Sequence, residues 1–277
     1  MVHCAVDMQG VQYRYPDGHV ALDDIDFQVG LHERAVILGA NGAGKSTLLS
    51  VMSGILEPTK GSIKILHTEL TPKTVRSLRA SMGLVFQEPD NQLFMPTLFE
   101  DVAFGPLNMG LPVEEVRERV SEALDIVGLS NLRDKPPHHL SVGEKKRAAI
   151  ATVLAMQPKI LILDEPTAHL DPKSRMEFID FLTQLHQEGD LTLITATHDV
   201  DSVPLLADRA YILSQGKLIR AGTVADAFSD TETLRKANLM PPIMTQLFQR
   251  IHNFSKQKGN GPLPMTLHEA VEAFRQL

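Results

Sequence analysis

One eight-residue segment restricts the fold of this 277-residue chain more than any other. It fits the pattern G-x-x-x-x-G-K-[ST], and its residues are Gly39, Ala40, Asn41, Gly42, Ala43, Gly44, Lys45 and Ser46. An apolar run at 33–38 precedes it and a helical pattern at 46–54 follows, which is the context that this motif requires. Its glycines let backbone N–H groups turn around an anion, and the helix start adds unsatisfied donors. The segment therefore predicts a phosphate-binding loop in which Lys45 binds the phosphates of a nucleotide and Ser46 binds its Mg²⁺.

Two acidic residues, Asp164 and Glu165, follow an apolar run at 160–163. The run predicts a buried strand, whose carboxyl end delivers both side chains to the edge of the sheet where α/β proteins bind ligands. Asp164 is then placed to hold Mg²⁺, and Glu165 to orient or deprotonate a water that attacks the γ-phosphorus. Without other motifs, such a pair is as often two solvated acids at the end of a strand as a catalytic pair. Because a phosphate loop is also present, we favour the catalytic interpretation.

Short apolar runs alternate with helical patterns along most of the chain. Buried strands separated by helices are typical of a mainly parallel sheet that is covered on both faces. The stretch 89–140 differs, because it contains helical patterns and no convincing strand, and it predicts a helical lobe inserted into the α/β core. After Gly222 the pattern is that of short helices, broken at Pro241-Pro242.

Composition excludes several classes of protein. With 43% hydrophobic and 22% charged residues, the chain is neither disordered nor built on disulfides, and its single cysteine favours a reducing compartment. We find neither a signal peptide nor a run of about 20 apolar residues that spans a bilayer. The net charge of −7 argues against nucleic acid as a partner. We therefore expect a cytoplasmic protein that reaches a membrane only through a partner.

A further segment, Leu140-Ser141-Val142-Gly143-Glu144, resembles the signature sequence of the ATPases of ABC transporters. Four further residues match that family in its order along the chain. Tyr15 matches the aromatic that stacks on adenine, and Gln87 matches the Q-loop glutamine. Asp171 matches the D-loop aspartate, and His198 matches the switch histidine. The resemblance covers about residues 1–225. It implies a P-loop NTPase fold of the α/β class, with a mainly parallel core sheet, an N-terminal antiparallel β-subdomain, a helical subdomain inserted at about 89–140 and a helical C-terminal extension at 226–277.

The resemblance also implies how the site works with ATP and Mg²⁺. In the family, two ATPase subunits pack head to tail, so that each ATP lies between one phosphate loop and the other subunit's signature. It implies nucleotide contacts from Tyr15, from the whole loop with Thr47, and from Ser141, Gly143 and Asp171. The implied surroundings of Mg²⁺ are Ser46, Gln87 and Asp164, and the implied catalytic set is Lys45, Gln87, Glu165 and His198. All matched motifs look competent, which favours a homodimer and leaves a paralogous partner open.

A narrower resemblance concerns residues 87–94 and 100–106, which are similar to the ATPases of energy-coupling-factor importers. Residues 13–18 resemble the cobalt and nickel branch of that group. This implies an ATPase at the cytoplasmic face of the membrane, peripheral to a membrane-embedded coupling subunit and a substrate-binding subunit. Its hydrolysis would drive uptake of cobalt or nickel. Vitamin uptake and a soluble, non-transport ABC ATPase remain alternatives, and a nucleotide-binding scaffold without turnover is disfavoured.

Several features leave alternatives open. Four apolar residues of the helical stretch either line a groove for a partner helix or form the core of the lobe; we favour the groove for Leu93 and Phe94, and the core for Phe99 and Phe104. Acidic side chains beside them are candidates to pair with arginines of that helix: Glu88, Asp90, Glu100 and Asp101. The residues Lys145-Lys146-Arg147 predict a basic turn on the signature helix. The tail at 226–277 either extends the dimer interface or packs on the core. Val142, Glu144 and His169 depart from the commonest letters of the family.

Overall fold

Two β-sheets and the helices around them form the part of the chain that the computed structural model describes, residues 4–254 and 263–275. The strands are β1 (Cys4–Arg14), β2 (Val20–Gly30), β3 (Arg34–Leu38), β4 (Lys60–Ile65), β5 (Thr68–Glu69), β6 (Met82–Val85), β7 (Ile160–Asp164), β8 (Thr192–Thr197), β9 (Arg209–Ser214) and β10 (Lys217–Thr223). The helices are α1 (Lys45–Met52), α2 (Val75–Arg79), α3 (Leu98–Asn108), α4 (Val113–Ile126), α5 (Val142–Leu154), α6 (Pro172–Glu188), α7 (Val203–Leu206), α8 (Val224–Ser229), α9 (Thr231–Lys236), α10 (Ile243–Phe254) and α11 (Leu267–Arg275).

The larger sheet has the order β10-β9-β3-β8-β7-β6, in which every pair is parallel except β10 with β9. All five residues of β7 are buried, because helices cover both faces of the sheet. The smaller sheet, β2-β1-β4-β5, is antiparallel throughout. The predicted fold class, with a mainly parallel core and an antiparallel N-terminal sheet, is thereby confirmed.

Helix α1 lies in the core between the two sheets. Its Leu48 and Leu49 belong to the same buried cluster as Phe27 of β2 and Ile37 of β3. This packing holds the helix that follows the phosphate loop against both sheets, so that the loop is attached to a rigid frame at each end.

The stretch 89–140 contains helices and, in the described chain, no strand. Helix α3 begins at a capping box in which Thr97 accepts a hydrogen bond from the backbone N–H of Glu100. Its buried side chains pack with those of α4 and α5, as in Leu98, Val120 and Ile150. The proposed subdomain limits at 89 and 140 stay a prediction.

The C-terminal tail contacts the core. The backbone N–H of Ile243, at the start of α10, donates to Asp201 Oδ1 at 2.7 Å. Within the tail, Thr245 Oγ1 donates to the carbonyl of Pro264 at 2.9 Å. Other apolar side chains of this tail face solvent, with Leu267 70% and Phe274 49% exposed. Part of the predicted extension, residues 255–262 and 276–277, lies outside the described residues. None of the described helices is both long and apolar enough to cross a membrane.

Candidate nucleotide-binding site

The phosphate loop connects the end of β3 to the start of α1 and depends on two glycines with little space around them. Gly44 caps α1 with φ +106°, and a Cβ there would lie 2.8 Å from the carbonyl oxygen of Ala21. At Gly39, a Cβ would lie 2.5 Å from the carbonyl oxygen of Leu213. A side chain at either position would displace backbone, so only glycine fits there. The loop can therefore turn the N–H groups at the helix start toward an anion.

An open cleft of about 510 Å³ lies over this loop. Its lining contains many of the residues predicted from the sequence, namely Tyr15, Asn41, Gly42, Gly44, Lys45, Ser46, Thr47, Gln87 and Glu165. It also contains residues that the sequence analysis missed, namely His19, Val20, Ala21, Gln215 and Gly216. The last two form the turn between β9 and β10, and the Gly216 N–H donates to the carbonyl of Ala43 at 3.0 Å. The Gln-Gly pair signals a turn, but nothing in the sequence shows that this turn returns to the loop.

Tyr15 stands at the edge of the cleft in a fixed orientation. Its hydroxyl lies 3.0 Å from Thr47 Oγ1, and its ring packs edge-on against Tyr13 at 5.0 Å between centroids. Tyr13 itself is buried, whereas the Tyr15 ring is partly exposed and nearly parallel to the His19 ring at 6.3 Å. An aromatic face held in this way offers a stacking surface to a planar base.

Lys45 is 6% exposed and has acceptors on both sides. Its Nζ donates to the carbonyl oxygens of Gly39 at 2.8 Å and Ala40 at 3.3 Å, and it lies 3.3 Å from Glu165 Oε1. The buried ammonium is therefore balanced by a buried carboxylate, which is 5% exposed. A phosphate anion that enters the cleft competes with Glu165 for this cation.

Glu165 has an unusual backbone and a fully engaged carboxylate. Its φ is +46°, a left-handed value that costs a residue with a side chain, and its N–H donates to the Ala196 carbonyl at 2.9 Å. The carboxylate accepts from Thr197 Oγ1 at 3.0 Å and lies 2.8 Å from His198 Nδ1. The structure thus brings the predicted Glu165 and His198 together and adds Thr197, which the sequence analysis missed.

Asp164, the last residue of β7, is buried and underpaired. Its Oδ1 has no hydrogen-bond partner among the described residues. Burial raises the pKa of this carboxyl and the charge of Glu165 adds to the rise, while a hydrogen bond from Ser46 and the charge of Lys45 oppose it. Hard divalent cations bind oxygen ligands, and a desolvated carboxylate oxygen beside a serine hydroxyl provides two of them. The residues present therefore fit Mg²⁺.

Six of the predicted nucleotide contacts do not line the cleft. Three of them belong to the phosphate loop itself, Gly39, Ala40 and Ala43, and three lie on other segments, Ser141, Gly143 and Asp171. Ser141 is the exposed N-cap of α5, where it forms a capping box with Glu144. The Ser141 N–H donates to Glu144 Oε2 at 2.7 Å, and this bond lowers the pKa of the Glu144 carboxyl. Asp171 is likewise an N-cap, accepting from the N–H groups of Lys173 and Ser174 at the start of α6.

Residues 22–168 match the family model described as ABC transporter. The chain is 48% identical over 260 residues to the energy-coupling factor transporter ATP-binding protein EcfA of Methanocaldococcus jannaschii, covering 93% of this chain and 91% of that protein. It belongs to the ABC transporter family of ATP-binding proteins. The EcfA protein of Methanosphaera stadtmanae is 46% identical over 273 residues, or 97% of each chain. The predicted resemblance to energy-coupling-factor ATPases is therefore confirmed.

Solved structures agree with this membership. The cbiO1 protein from Clostridium perfringens, described as part of the ABC transporter complex cbiONQ, superposes with a TM-score of 0.77 at 42% identity, covering 92% of this chain and 100% of that one. The ATP-binding cassette MJ0796, a dimer bound to ADP and Pi in a post-hydrolysis state, superposes at 0.71 and 28% identity, covering 79% and 98%. This ABC protein is thus an ATPase coupled to transport.

The helical lobe of this ABC ATPase carries a second, larger groove of about 1330 Å³ beside α3. Phe94 and Phe104 line it, 61% and 42% exposed, with their ring centroids 5.1 Å apart. Leu93 is buried, and Phe99 packs against the core of the lobe. The expectations for Phe94 and Phe99 agree with these positions, whereas Leu93 was wrongly favoured for the groove and Phe104 wrongly favoured for the core.

The acidic residues beside this groove are engaged within the chain. Asp101 is buried, its Oδ1 accepts from the N–H groups of Phe94 and Met95, and burial raises the pKa of its carboxyl. Glu100 completes the cap of α3. The remaining two form ion pairs, Asp90 with Lys145 at 2.7 Å and Glu88 with His169 at 3.3 Å. Asp101 therefore shapes the groove instead of presenting a charge to a partner.

Proposed function

We propose that two copies of this chain form an ATP-bridged dimer that energises an importer of a transition-metal cation, cobalt or nickel. The dimer lies at the cytoplasmic face of the membrane, bound to a membrane-embedded coupling subunit that works with a substrate-binding subunit. Residues 1–225 form the ATPase domain, with the helical subdomain at 89–140, and residues 226–277 form a helical extension.

The observation that carries the dimer is the separation of the two halves of the site within one chain. The cleft contains Lys45, Ser46 and Glu165 but neither Ser141 nor Gly143. Those two residues stand at the start of α5, where free N–H groups and the helix dipole favour an anion. A second copy supplies this helix start to the γ-phosphate, and the dimeric state described for the similar MJ0796 cassette supports the arrangement.

The mechanism follows from the contacts of Glu165. When the phosphates occupy the cleft, Lys45 turns from Glu165 to the β- and γ-phosphate oxygens. Glu165 then keeps its contacts with Thr197 and His198, which hold the carboxylate where it orients the attacking water and takes its proton. The imidazole of His198 is half-exposed, and we propose that it contacts the γ-phosphate.

Mg²⁺ would be held by the Ser46 hydroxyl and Asp164, with Gln87 at the edge of the cleft, and would neutralise the charge of the phosphates. Asp164 gains most from this arrangement, since the cation compensates the buried oxygen that lacks a partner.

The groove lined by Phe94 and Phe104 is the proposed contact for the coupling subunit, because it is a concavity of about 1330 Å³ that exposes two aromatic side chains. The exposed apolar side chains of the tail, among them Leu267 at 70%, are the proposed extension of the dimer interface.

Two findings support the metal cargo. Residues 13–18 resemble the cobalt and nickel branch of the energy-coupling-factor group, and the similar cbiO1 protein belongs to the transporter complex cbiONQ. No group of three or more His, Cys, Asp or Glu side chains in the described ranges could hold a metal ion. We therefore propose that the cargo binds the membrane subunits.

The variant Glu165→Gln tests the ATPase mechanism. It keeps the size of the side chain but removes the base, so hydrolysis falls by about 100-fold or more while ATP and Mg²⁺ still bind. Size-exclusion chromatography with ATP then shows a trapped dimer. Undiminished hydrolysis would remove Glu165 from this role, and a monomer with ATP bound, in the presence of the membrane subunits, would contradict the dimer.

The cargo is tested by uptake in cells that contain the complete transporter. We expect accumulation of labelled cobalt or nickel with the unmodified ATPase and none with Glu165→Gln. Uptake of a vitamin, with no uptake of either metal, would contradict the metal cargo and leave the ATPase mechanism intact.

A further inference from the structure

The segment 86–92, which contains Gln87 and is called the Q-loop segment below, is attached to the signature helix α5 at several points. Lys145 Nζ lies 2.7 Å from Asp90 Oδ1. Gln92 Nε2 donates to the carbonyl of Ala149 at 2.9 Å and to Thr152 Oγ1 at 2.8 Å. The Q-loop segment is therefore tied to α5 at both its middle and its end.

Lys146 extends this attachment to the catalytic strand. Its Nζ donates to the carbonyl oxygen of Gln87 at 3.3 Å and to that of Glu165 at 3.5 Å. These two carbonyls follow the carboxyl ends of β6 and β7, which are neighbours in the sheet. One side chain of α5 thus contacts both the Q-loop segment and the residue proposed to activate water.

The burial of Lys146 is costly, which sets it apart from the exposed lysines of the chain. Its side chain is 3% exposed, and within the described residues it forms no ion pair. Burial lowers the pKa of the ammonium, and the charges of Glu88 and Glu165 partly oppose this effect. A buried cation with only two long hydrogen bonds to carbonyls is a poor contributor to stability. The basic turn predicted on the signature helix at 145–147 therefore has one buried member, Lys146.

The left-handed backbone of Glu165 gives this contact its importance. A left-handed backbone persists only when its surroundings hold it, and here the N–H is held by Ala196 and the carbonyl by Lys146 and the N–H of Ala168. Since the direction of a side chain follows from its backbone, the contact with Lys146 helps to aim the Glu165 carboxylate into the cleft.

We propose that Lys146 is a positioning residue for hydrolysis, which holds the backbone of Glu165 and the Q-loop segment in register with the signature helix. Movement of α5, when its N-terminus engages the ATP of a second copy, is thereby transmitted to the catalytic glutamate of the same chain. This inference rests on the role proposed for Glu165.

The variant Lys146→Met tests it, because methionine has similar length and no donor. We expect kcat for ATP to fall by about 10- to 100-fold, as for other small displacements of a catalytic group, with KM changed by no more than about threefold. Lys146→Gln returns an uncharged donor to the same carbonyls and should recover kcat to within about threefold of the original. Lys159→Met, which makes the same change at an exposed lysine between α5 and β7, is the matched control and should change kcat by less than about twofold.

Two results would overturn the proposal: kcat for Lys146→Met within twofold of the original, or Lys146→Gln as impaired as Lys146→Met. Should Lys146→Met not fold, Lys146→Gln decides alone, since a loss above tenfold in a folded Gln variant excludes positioning by hydrogen bonds. The outcome is distinct from that of the Glu165→Gln test: an active Glu165→Gln protein defeats the proposed mechanism whatever Lys146 does. An unaffected Lys146→Met protein beside an inactive Glu165→Gln protein defeats only this inference.

Discussion

The cleft over the phosphate loop and the exposed start of the signature helix differ in how completely one chain builds them. In the cleft, Lys45 and Glu165 are 6% and 5% exposed, and each has several partners. At the helix start, Ser141 is exposed, and its contacts serve only the cap of its own helix. The cleft is therefore pre-organised, whereas in the described part of the chain Ser141 bonds only within the cap of its own helix.

Because of this difference, the free energy of ATP binding to one chain and the free energy of dimerisation depend on different regions. ATP entering the cleft replaces contacts that already exist, so part of its binding energy is used to release Lys45 from Glu165. In the proposed dimer, contacts at the signature end are new and form only with a second copy. First binding of ATP should thus depend on the cleft, and dimerisation and turnover on both regions.

The largest effect should come from Ser141→Arg, which separates the two regions. A long cation at the N-terminus of α5 opposes the helix dipole and obstructs an incoming ATP, so turnover falls by about 100-fold or more. The affinity of a single chain for ATP should stay within about twofold, since Ser141 lies outside the cleft. Equilibrium titration and a phosphate-release assay measure the two quantities.

The exposed serine of α4 provides the control, because Ser121→Arg adds the same charge to the same lobe. It should leave both quantities unchanged. Equal loss of ATP affinity and turnover in Ser141→Arg would show that the signature contacts the ATP of its own chain.

An intermediate effect is expected from Phe94→Asp, which tests whether the lobe surface serves a partner. A carboxylate in the apolar groove should reduce co-purification of the coupling subunit by about tenfold, as for loss of a hot-spot aromatic. ATP hydrolysis by the isolated chain should persist, because the groove is separate from the cleft. Val113→Asp alters another exposed apolar side chain, at the start of α4, and should not disturb the complex. Normal co-purification of Phe94→Asp would place the partner elsewhere.

The smallest effect concerns the capping box of α5. Glu144→Ala should lower the free energy of unfolding by about 1 kcal/mol, and Glu144→Gln by only a few tenths, since Gln also completes the box. The folded pKa of Glu144 is lowered, so its contribution is present above the ordinary value of 4.5 and is lost as the pH falls through the folded value. Urea titrations at pH 7 and below pH 4 measure this, and equal stabilities of the Ala and Gln variants at pH 7 would contradict it.

The sequence predicted features that depend on neighbouring residues. The phosphate loop and the Asp164-Glu165 strand end were found because each is one contiguous pattern. Features that depend on distant segments were not found: Thr197 beside Glu165, the turn of Gln215, and the burial of Lys146. The sequence predicted the exposed position of Phe94 but not the burial of Leu93. Both residues lie in an irregular segment, where no periodic pattern assigns a side chain to a face.

The turn at Gly216 has a consequence for the order in which the molecule is made. Its N–H donates to Ala43 of the phosphate loop, and its carbonyl accepts from the N–H of Asp23. A growing chain that has left the ribosome only as far as β3 and α1 lacks these two hydrogen bonds. The loop therefore reaches its final shape after the turn between β9 and β10 is synthesised.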